Sequence, residues 1–211
     1  MKNKGVFIVI EGVDGSGKSS FLKRMMQEHP LINNQEVVYS REPGGCDASE
    51  PIRELIMKLS DTDPLTEALL FTASRNEHIK KKILPALDAD KIVICDRFVT
   101  SSWIYQGEVK GAGFDVVKKI NEYATNGLEP DLTLLFDVKP EIAAARINQR
   151  DTMNHLDVYT QKRVDKVRDL YLKIFKDNNK AKIIDASKDV DSVYNEVIAI
   201  ITSFVKNHGL N

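Results

Sequence analysis

Short apolar runs alternate with longer amphipathic segments along this chain. The runs are bounded by polar residues, and they occupy Val6–Ile10, Glu36–Ser40, Lys91–Asp96, Leu132–Asp137 and Ala181–Asp185. Between them, apolar residues recur at the three- and four-residue spacing of helices. This alternation predicts an α/β fold with a five-stranded parallel sheet flanked by helices on both faces. Ligands collect at the carboxyl ends of such strands, so the polar residues that end the runs are candidates for a site.

Length, composition and charge narrow the class of protein. The 211 residues, of which 42% are hydrophobic and 29% charged, predict a single domain spanning residues 1–211. Lys and Arg number 30 against 31 acidic residues, so no excess charge favours nucleic acid or an anionic membrane, and we expect small-molecule partners. Cys46 and Cys95 lack the spacing of metal ligands and are expected to be reduced. Reduced thiols favour a cytoplasmic location. No apolar run approaches membrane-spanning length, so we expect a soluble protein.

The first apolar run leads into a glycine-rich stretch, IEGVDGSGKSS, at residues 10–20. Its spacing is that of a P-loop, in which backbone N–H groups surround nucleotide phosphates at the start of a helix. The residues predicted to bind a nucleoside triphosphate are Gly12, Val13, Asp14, Gly15, Ser16, Gly17, Lys18, Ser19 and Ser20. Lys18 would contact the outer phosphates, and the Ser19 hydroxyl would bind Mg²⁺. The alternative is a glycine-rich turn with an incidental lysine, which leaves the strand-like run before it and the helix-forming residues after it unexplained.

Two segments fit a plain sheet less well. The helical stretch Pro64–Leu87 contains Phe71, Arg75 and His78, and it is either one wall of a substrate site or an ordinary packing helix. The polar segment RINQRDTMNHLD at residues 146–157 is either a mobile lid or an ordinary solvated loop. Composition alone leaves both alternatives open.

Several separated motifs resemble those of thymidylate kinases. After the P-loop they are REPGG at Arg41–Gly45, LLFTASRNEH at Leu69–His78, DRFVTSSWIYQG at Asp96–Gly107, NGLEPDLTLLFDV at Asn126–Val138 and DAS at Asp185–Ser187. GTPases share the P-loop, but their Asn-Lys-x-Asp guanine motif is absent from this sequence. The resemblance implies a P-loop NTPase fold with a short lid at about residues 146–157. It also implies an enzyme that phosphorylates dTMP to dTDP with ATP and Mg²⁺.

The same resemblance implies an acceptor site. Its substrate-binding residues are Asp14, Glu42, Arg53, Phe71, Arg75, Arg97, Ser101, Ser102, Tyr105 and Gln106. Arg97 and Arg53 would bind the 5′-phosphate of dTMP, and Phe71 would stack on thymine. Arg75 lies one helical turn beyond Phe71 and would donate to thymine O4, where cytosine carries an amino group.

Other acceptor residues would contact the base edge and the sugar. The family pattern assigns Ser102 and Gln106, four residues apart, to hydrogen bonds with the base, and it places Ser101 close to them. Tyr105 would pack against the sugar and crowd the 2′ position. Asp14 would receive the 3′-hydroxyl of the deoxyribose.

Phosphoryl transfer mainly requires alignment and charge neutralisation, because the acceptor phosphate is already an anion. The residues predicted to be catalytic are Lys18, Asp96, Arg97 and Arg150, and those predicted to bind the metal are Ser19, Asp96 and Glu11. The family supplies a further arginine from either the P-loop or the lid. Gly15 stands where the P-loop arrangement would place this arginine, so we expect the lid to supply it. Because Arg150-Asp151 matches the lid motif of the family, Arg150 is favoured over Arg146. His155 stands where bacterial relatives often carry another arginine, so the set of lid donors stays open.

Two rival functions are compatible with a P-loop. One is a nucleoside or nucleoside monophosphate kinase with a different acceptor. The other is a nucleotide-binding switch without catalysis, which would not need a second base pocket. The resemblance also implies a homodimer.

Overall fold

The structure is a computed structural model that describes residues 5–148 and 161–208. Its strands are β1 (Val6–Glu11), β2 (Leu31–Ile32), β3 (Gln35–Arg41), β4 (Ile92–Asp96), β5 (Leu132–Asp137) and β6 (Ala181–Asp185). Its helices are α1 (Lys18–Glu28), α2 (Glu50–Lys58), α3 (Pro64–His78), α4 (Leu84–Asp88), α5 (Val99–Ser102), α6 (Phe114–Thr125), α7 (Pro140–Asn148), α8 (Gln161–Phe175) and α9 (Val190–His208). π-Helical turns follow α3 at Ile79–Ile83 and α5 at Trp103–Val109.

The strands form one sheet in the order β2-β3-β4-β1-β5-β6. The predicted α/β class is confirmed, because β3, β4, β1, β5 and β6 pair in parallel. The predicted number of strands is wrong, since β2 pairs with β3 in the antiparallel sense at the sheet edge. A tight turn through Asn33 and Asn34, with φ of 50° and 67°, connects the two strands. Positive φ at both positions is typical of a two-residue hairpin turn. β2 was not predicted because its two residues are too few to show a periodic pattern.

The core lies on both faces of β1, whose residues are all buried. Ile8 and Ile10 face one side, where they join a cluster that includes residues of α1, α8 and α9. Phe7 and Val9 face the other side, and the Phe7 ring meets Phe98 edge-on at a centroid distance of 5.1 Å. Burial of each such side chain stabilises the fold by about 1.5–3 kcal/mol. The unbroken apolar run of β1 is therefore explained by helices on both sides of the sheet.

The carboxyl ends of β1, β3 and β4 lie side by side. Asp96 of β4 pairs in register with Ile10 of β1 and with Arg41 of β3. Just beyond the strands, the N–H of Arg97 donates to the Ile10 carbonyl, and the N–H of Glu42 donates to the Asp96 carbonyl, both at 2.9 Å. Residues that are far apart in sequence thus meet at one edge of the sheet.

The long helical stretch predicted from Pro64 is confirmed. α3, the π-helical turn Ile79–Ile83 and α4 follow one another without a break. Asp63 caps this stretch, since its side chain accepts hydrogen bonds from the N–H groups of Leu65 and Thr66. In the described part of the chain, no helix combines the length and the apolar character that a membrane crossing requires.

Candidate active site

The loop between β1 and α1 has the backbone geometry of an anion cradle. Gly15 and Gly17 have φ of 78° and 94°, a region that non-glycine residues rarely adopt. α1 begins directly after Gly17, so the unpaired N–H groups of its first turn face the loop. A Cβ at Gly15 would also overlap the carbonyl oxygen of Ala143 on α7. The packing of α7 therefore excludes a side chain at position 15 in this arrangement.

Lys18 is folded back onto the loop. Its Nζ donates to the carbonyl oxygens of Gly12 and Val13, each at 2.8 Å, and to Ser16 Oγ at 3.3 Å. Burial, followed by repulsion from the Arg97 guanidinium, lowers the pKa of Lys18 to about 8. A polyphosphate in the loop would favour the charged ammonium and oppose this shift. Of the other predicted loop residues, Ser16 is buried, whereas Ser19 and Ser20 are exposed at the start of α1.

Asp96 and Ser19 fit the binding of a divalent cation. Asp96 Oδ1 is buried, and no hydrogen-bond partner for it exists among residues 5–148 and 161–208. A buried carboxylate oxygen without a partner is costly, and an oxygen-seeking cation would satisfy it. Ser19 lines the same cavity as Asp96. The oxygen donors present therefore fit Mg²⁺, with nucleotide phosphates as further ligands.

Glu11 does not fit the metal role predicted for it. Its Oε1 accepts hydrogen bonds from the N–H groups of Phe98 and Ser101, at 3.0 and 3.3 Å. Its Oε2 accepts from Ser101 Oγ at 2.6 Å and from the Tyr171 hydroxyl at 3.0 Å. Burial raises the pKa of this carboxyl, and these donors favour its charged form. Both oxygens are engaged, so we assign Glu11 to holding α5 and Tyr171 in place rather than to the metal.

A cavity of about 270 Å³ opens beside the loop. All ten residues predicted to bind the acceptor line it, namely Asp14, Glu42, Arg53, Phe71, Arg75, Arg97, Ser101, Ser102, Tyr105 and Gln106. The structure thus brings the whole predicted set together. The sequence left open whether α3 is an ordinary packing helix or one wall of a substrate site. Because Phe71 and Arg75 line the cavity, the geometry favours the wall of a site.

Arg97 lies at the junction of the loop and the cavity. Its Nη2 lies 2.6 Å from Asp14 Oδ1, and its Nη1 donates to Ser101 Oγ at 3.0 Å and to the Tyr171 hydroxyl at 3.2 Å. Its backbone is left-handed, with φ of 69°, which is uncommon for a residue other than glycine. Such strain is typical of functional positions. Arg53 also lines the cavity and donates from Nη1 to the Pro43 carbonyl at 2.8 Å.

Arg75 is held by a buried polar network. Its Nε lies 2.6 Å from Glu42 Oε2, and its Nη2 donates to the Phe98 carbonyl and to Ser102 Oγ, each at 3.1 Å. Its Nη1 donates to Asn121 Oδ1. These contacts use four of the five N–H bonds of the guanidinium and leave one on Nη1 for a ligand.

The network continues behind Arg75. Glu42 Oε1 lies 3.0 Å from His78 Nδ1, and His78 Nε2 is hydrogen-bonded to Ser40 Oγ at 2.6 Å. Glu42 lines the cavity as predicted, but both of its oxygens are occupied by Arg75 and His78. Within the part of the chain that the structure describes, Glu42 is therefore the counterion of Arg75 rather than a group open to substrate.

Several residues of the site escaped prediction from the sequence. Asn121 contacts Arg75 from α6, Tyr171 contacts Arg97 from α8, and Glu67 and Lys110 line the cavity beside Gln106. Glu67 was detectable in principle, because it lies one helical turn before Phe71 on α3. Asn121 and Tyr171 carry no such signal, since their helices belong to other parts of the chain.

Most of the predicted lid lies outside the described residues, including Arg150 and His155. Arg146, at the end of α7, is described. Its Nη1 donates to the Ala186 carbonyl at 3.1 Å, and a Cβ built on Gly17 would lie 3.9 Å from the same nitrogen. One arginine of the predicted segment is thus close to the phosphate-binding loop.

A phosphate-binding loop after the central strand, with a second polar cavity at the same edge of a parallel sheet, defines a P-loop nucleotide kinase. The chain belongs to the thymidylate kinase family, whose sequence model matches residues 10–197. It is 74% identical over 208 residues to a thymidylate kinase of Mycoplasmoides gallisepticum, with 99% of each chain covered. It is 43% identical to one of Ligilactobacillus salivarius, with 96% of this chain and 100% of the relative covered. The crystal structure of thymidylate kinase from Ehrlichia chaffeensis matches with a TM-score of 0.73 at 33% identity, over 93% of this chain and 98% of that one.

Proposed function

We propose that this chain is a dTMP kinase, which transfers the γ-phosphoryl group of ATP to the 5′-phosphate of dTMP and forms dTDP and ADP. The observation that carries the proposal is the meeting of two cationic sites at one edge of the sheet. Lys18 serves the phosphate-binding loop, while Arg97 and Arg53 line the neighbouring cavity. A kinase whose acceptor is itself a phosphate needs both sites.

Catalysis in this proposal rests on alignment and charge. On ATP binding, Lys18 leaves its loop carbonyls for the outer phosphates, and Arg97 neutralises the acceptor phosphate. The attacking phosphate oxygen is already anionic, so no side chain needs to act as a base. Ser19 and Asp96 would hold Mg²⁺, which supplies charge neutralisation at the phosphates when bound.

The acceptor cavity suits thymidine in its base and sugar contacts. Phe71 offers a ring for stacking, and the unused N–H of Arg75 offers a donor to thymine O4. At the sugar end, the Tyr105 hydroxyl donates to Asp14 Oδ2 at 3.4 Å. We propose that Asp14 accepts the 3′-hydroxyl and that Tyr105 crowds the 2′ position.

The experiment that tests the proposal is an acceptor panel. The purified protein is given ATP and Mg²⁺ with dTMP, dUMP, dCMP, AMP or thymidine, and ADP formation is measured. We expect the highest kcat/KM with dTMP. A preference for thymidine or AMP would replace the proposal with another kinase activity, and no dTMP-dependent ADP formation would indicate a nucleotide-binding switch.

A further cation at the transferred phosphate is proposed for Arg150. Gly15 carries no side chain, and α7 packs against its Cα, so the loop itself cannot supply an arginine. The match of Arg150-Asp151 to the lid motif of the family supports this choice. Arg146 is the alternative source of this cation, since its side chain lies near Gly17 of the loop.

We also propose a homodimer formed through α2, α3 and α6. α3 packs against both other helices. These three helices and Leu59, which directly follows α2, present large apolar side chains that are 37–77% exposed, namely Leu55, Leu59, Leu65, Leu69, Val116 and Tyr123. Apolar residues concentrated on neighbouring helices are typical of interfaces between subunits. Size-exclusion chromatography with light scattering tests this, and a monomeric mass would contradict it.

We also propose a cytoplasmic location and a single domain for this chain. Both cysteines are free thiols, which supports a reducing, cytoplasmic location. Limited proteolysis of the whole chain tests the single domain predicted for residues 1–211, because two stable fragments would contradict it.

A further inference from the structure

The side-chain amide of Gln106 is held by a buried carboxylate inside the acceptor cavity. Gln106 is 4% exposed and Glu67 is 5% exposed. Gln106 Nε2 donates to Glu67 Oε1 at 3.0 Å. The second oxygen, Glu67 Oε2, lies 3.1 Å from the ammonium of Lys110. All three side chains line the cavity, so this carboxylate is paired and held at the edge of the site.

The partner of Gln106 determines which end of its amide a ligand meets. An ionised carboxylate only accepts hydrogen bonds, so Nε2 rather than Oε1 must face Glu67. The pairing with Lys110 supports the ionised form. No described residue donates a hydrogen bond to Gln106 Oε1. The free acceptor on this side chain is therefore available to a base in the cavity.

We propose that Glu67 is a positioning residue for base selection, which fixes the Gln106 amide so that Oε1 accepts the N3–H of thymine. The inference rests on the proposed dTMP kinase function. Thymine presents a donor at N3 and an acceptor at O4, whereas cytosine presents an acceptor at N3 and a donor at C4. Arg75 can only donate, and Gln106, held by Glu67, turns its acceptor Oε1 toward the base, so the two residues match thymine at both atoms.

Rotation of the amide would reverse half of this match. With Nε2 toward the base, Gln106 would donate to N3, which fits cytosine and opposes thymine. Glutamine by itself has no preference between the two orientations. The carboxylate of Glu67 provides this preference, because it accepts only from Nε2. We therefore expect Glu67, a residue of α3, to affect the choice of base.

The test replaces Glu67 with its amide counterpart, Glu67→Gln, which keeps the shape but can donate to Gln106 as well as accept. We measure kcat and KM for dTMP, dUMP and dCMP. The ratio of kcat/KM for dTMP over dCMP should fall about tenfold, in line with the loss of one well-placed hydrogen bond. The kcat/KM for dUMP should fall in parallel with that for dTMP, because uracil has the same N3–H and O4. The loss should appear mainly in KM, since Lys18 and Arg97 are unchanged.

Two controls separate positioning from a general structural effect. Glu129→Gln alters a glutamate in an exposed pair with Lys180 and should leave the ratio unchanged. In a Gln106→Ala background, Glu67→Gln should produce no further change in the ratio, because the side chain through which Glu67 acts is gone. A merely structural role of Glu67 would lower activity with all three acceptors alike, in both backgrounds.

The outcomes are decisive in either direction. An unchanged dTMP to dCMP ratio in folded Glu67→Gln would overturn the inference while the dTMP kinase activity of the parent protein stands. If Glu67→Gln fails to fold, as judged by circular dichroism, Glu67→Met applies the same test, since it removes the acceptor and leaves the amide free to rotate. A parent protein that does not phosphorylate dTMP would overturn both proposals.

Discussion

The phosphate-binding loop and the acceptor cavity adjoin each other, yet they are built in opposite ways. In the loop, Lys18 bonds to the backbone of Gly12 and Val13, six and five residues away. In the cavity, Arg75 bonds to four partners 23 to 46 residues away, on three other parts of the chain. The loop is made mainly of backbone groups and the cavity mainly of side chains. A contiguous stretch can therefore specify the first site, whereas only the folded sheet assembles the second.

The two regions also differ in how their charges are balanced. In the described residues, Lys18 has carbonyl and hydroxyl oxygens for partners and no carboxylate within salt-bridge distance. Arg75, by contrast, has the buried carboxylate of Glu42, which also contacts His78. Lys18 of the loop can therefore pair with an external anion, whereas the charge of Arg75 in the cavity is already neutralised by Glu42. This contrast predicts that variants in the loop affect chemistry and variants in the cavity affect folding and recognition.

The largest effect is expected for Lys18→Ala. The loop would lose its point charge toward the outer phosphates, and kcat should fall by about a thousandfold or more. Binding of dTMP should stay within about threefold, because the cavity uses other side chains. Steady-state rates and isothermal titration with dTMP measure the two effects. Loss of dTMP affinity in a folded variant would show that the two regions are not separable.

The converse variant is Glu42→Gln. It leaves Arg75 buried without a counterion, so the free energy of unfolding should fall by about 3–5 kcal/mol. Urea denaturation measures it, with Glu122→Gln as the control. Glu122 pairs with Lys119 on the exposed surface, where solvent screening leaves a salt bridge with little effect on stability. Equal losses in the two variants would mean that the buried network has no special weight.

A smaller effect on chemistry is expected at the predicted lid. Arg150→Ala should lower kcat by about a hundredfold or more with little change in KM for dTMP, since the lid would act on the transferred group alone. Arg146→Ala and His155→Ala are measured beside it. If Arg146→Ala loses activity and Arg150→Ala does not, the role belongs to Arg146. Normal kcat in all three variants would exclude a cationic lid.

The smallest effect concerns the proton on Lys18. Without nucleotide its pKa is lowered to about 8, so at pH 9 the amine is mostly neutral. Polyphosphate favours the ammonium and raises this pKa, so ATP binding at pH 9 should take up about half to one proton per site. Calorimetry in two buffers of different ionisation enthalpy measures the uptake. Lys18→Arg, which stays charged, should show none, and zero uptake by the parent protein would contradict the shift.

Prediction from the sequence succeeded where the signal is local or periodic. The apolar runs located the five parallel strands, and the P-loop spacing located the cradle before α1. The ten acceptor residues were predicted through resemblance to the family and now line one cavity. β2 was missed because two residues form no pattern. Glu11 was assigned to the metal because it ends β1, and only the positions of Ser101 and Tyr171 show that its oxygens are occupied.

Contiguous residues were enough to specify the five parallel strands, the phosphate-binding loop and the kinds of side chain available at the strand ends. These features follow from backbone conformation and from apolar periodicity, both of which depend on residues that are close in sequence. The folded structure then established which of those side chains are already paired and which atoms they leave for a ligand. It showed Asp96 Oδ1 without a described partner, Glu42 bound to Arg75, and Gln106 turned by Glu67. Hydrogen-bond direction depends on atoms brought together from distant segments, and no local pattern encodes that meeting.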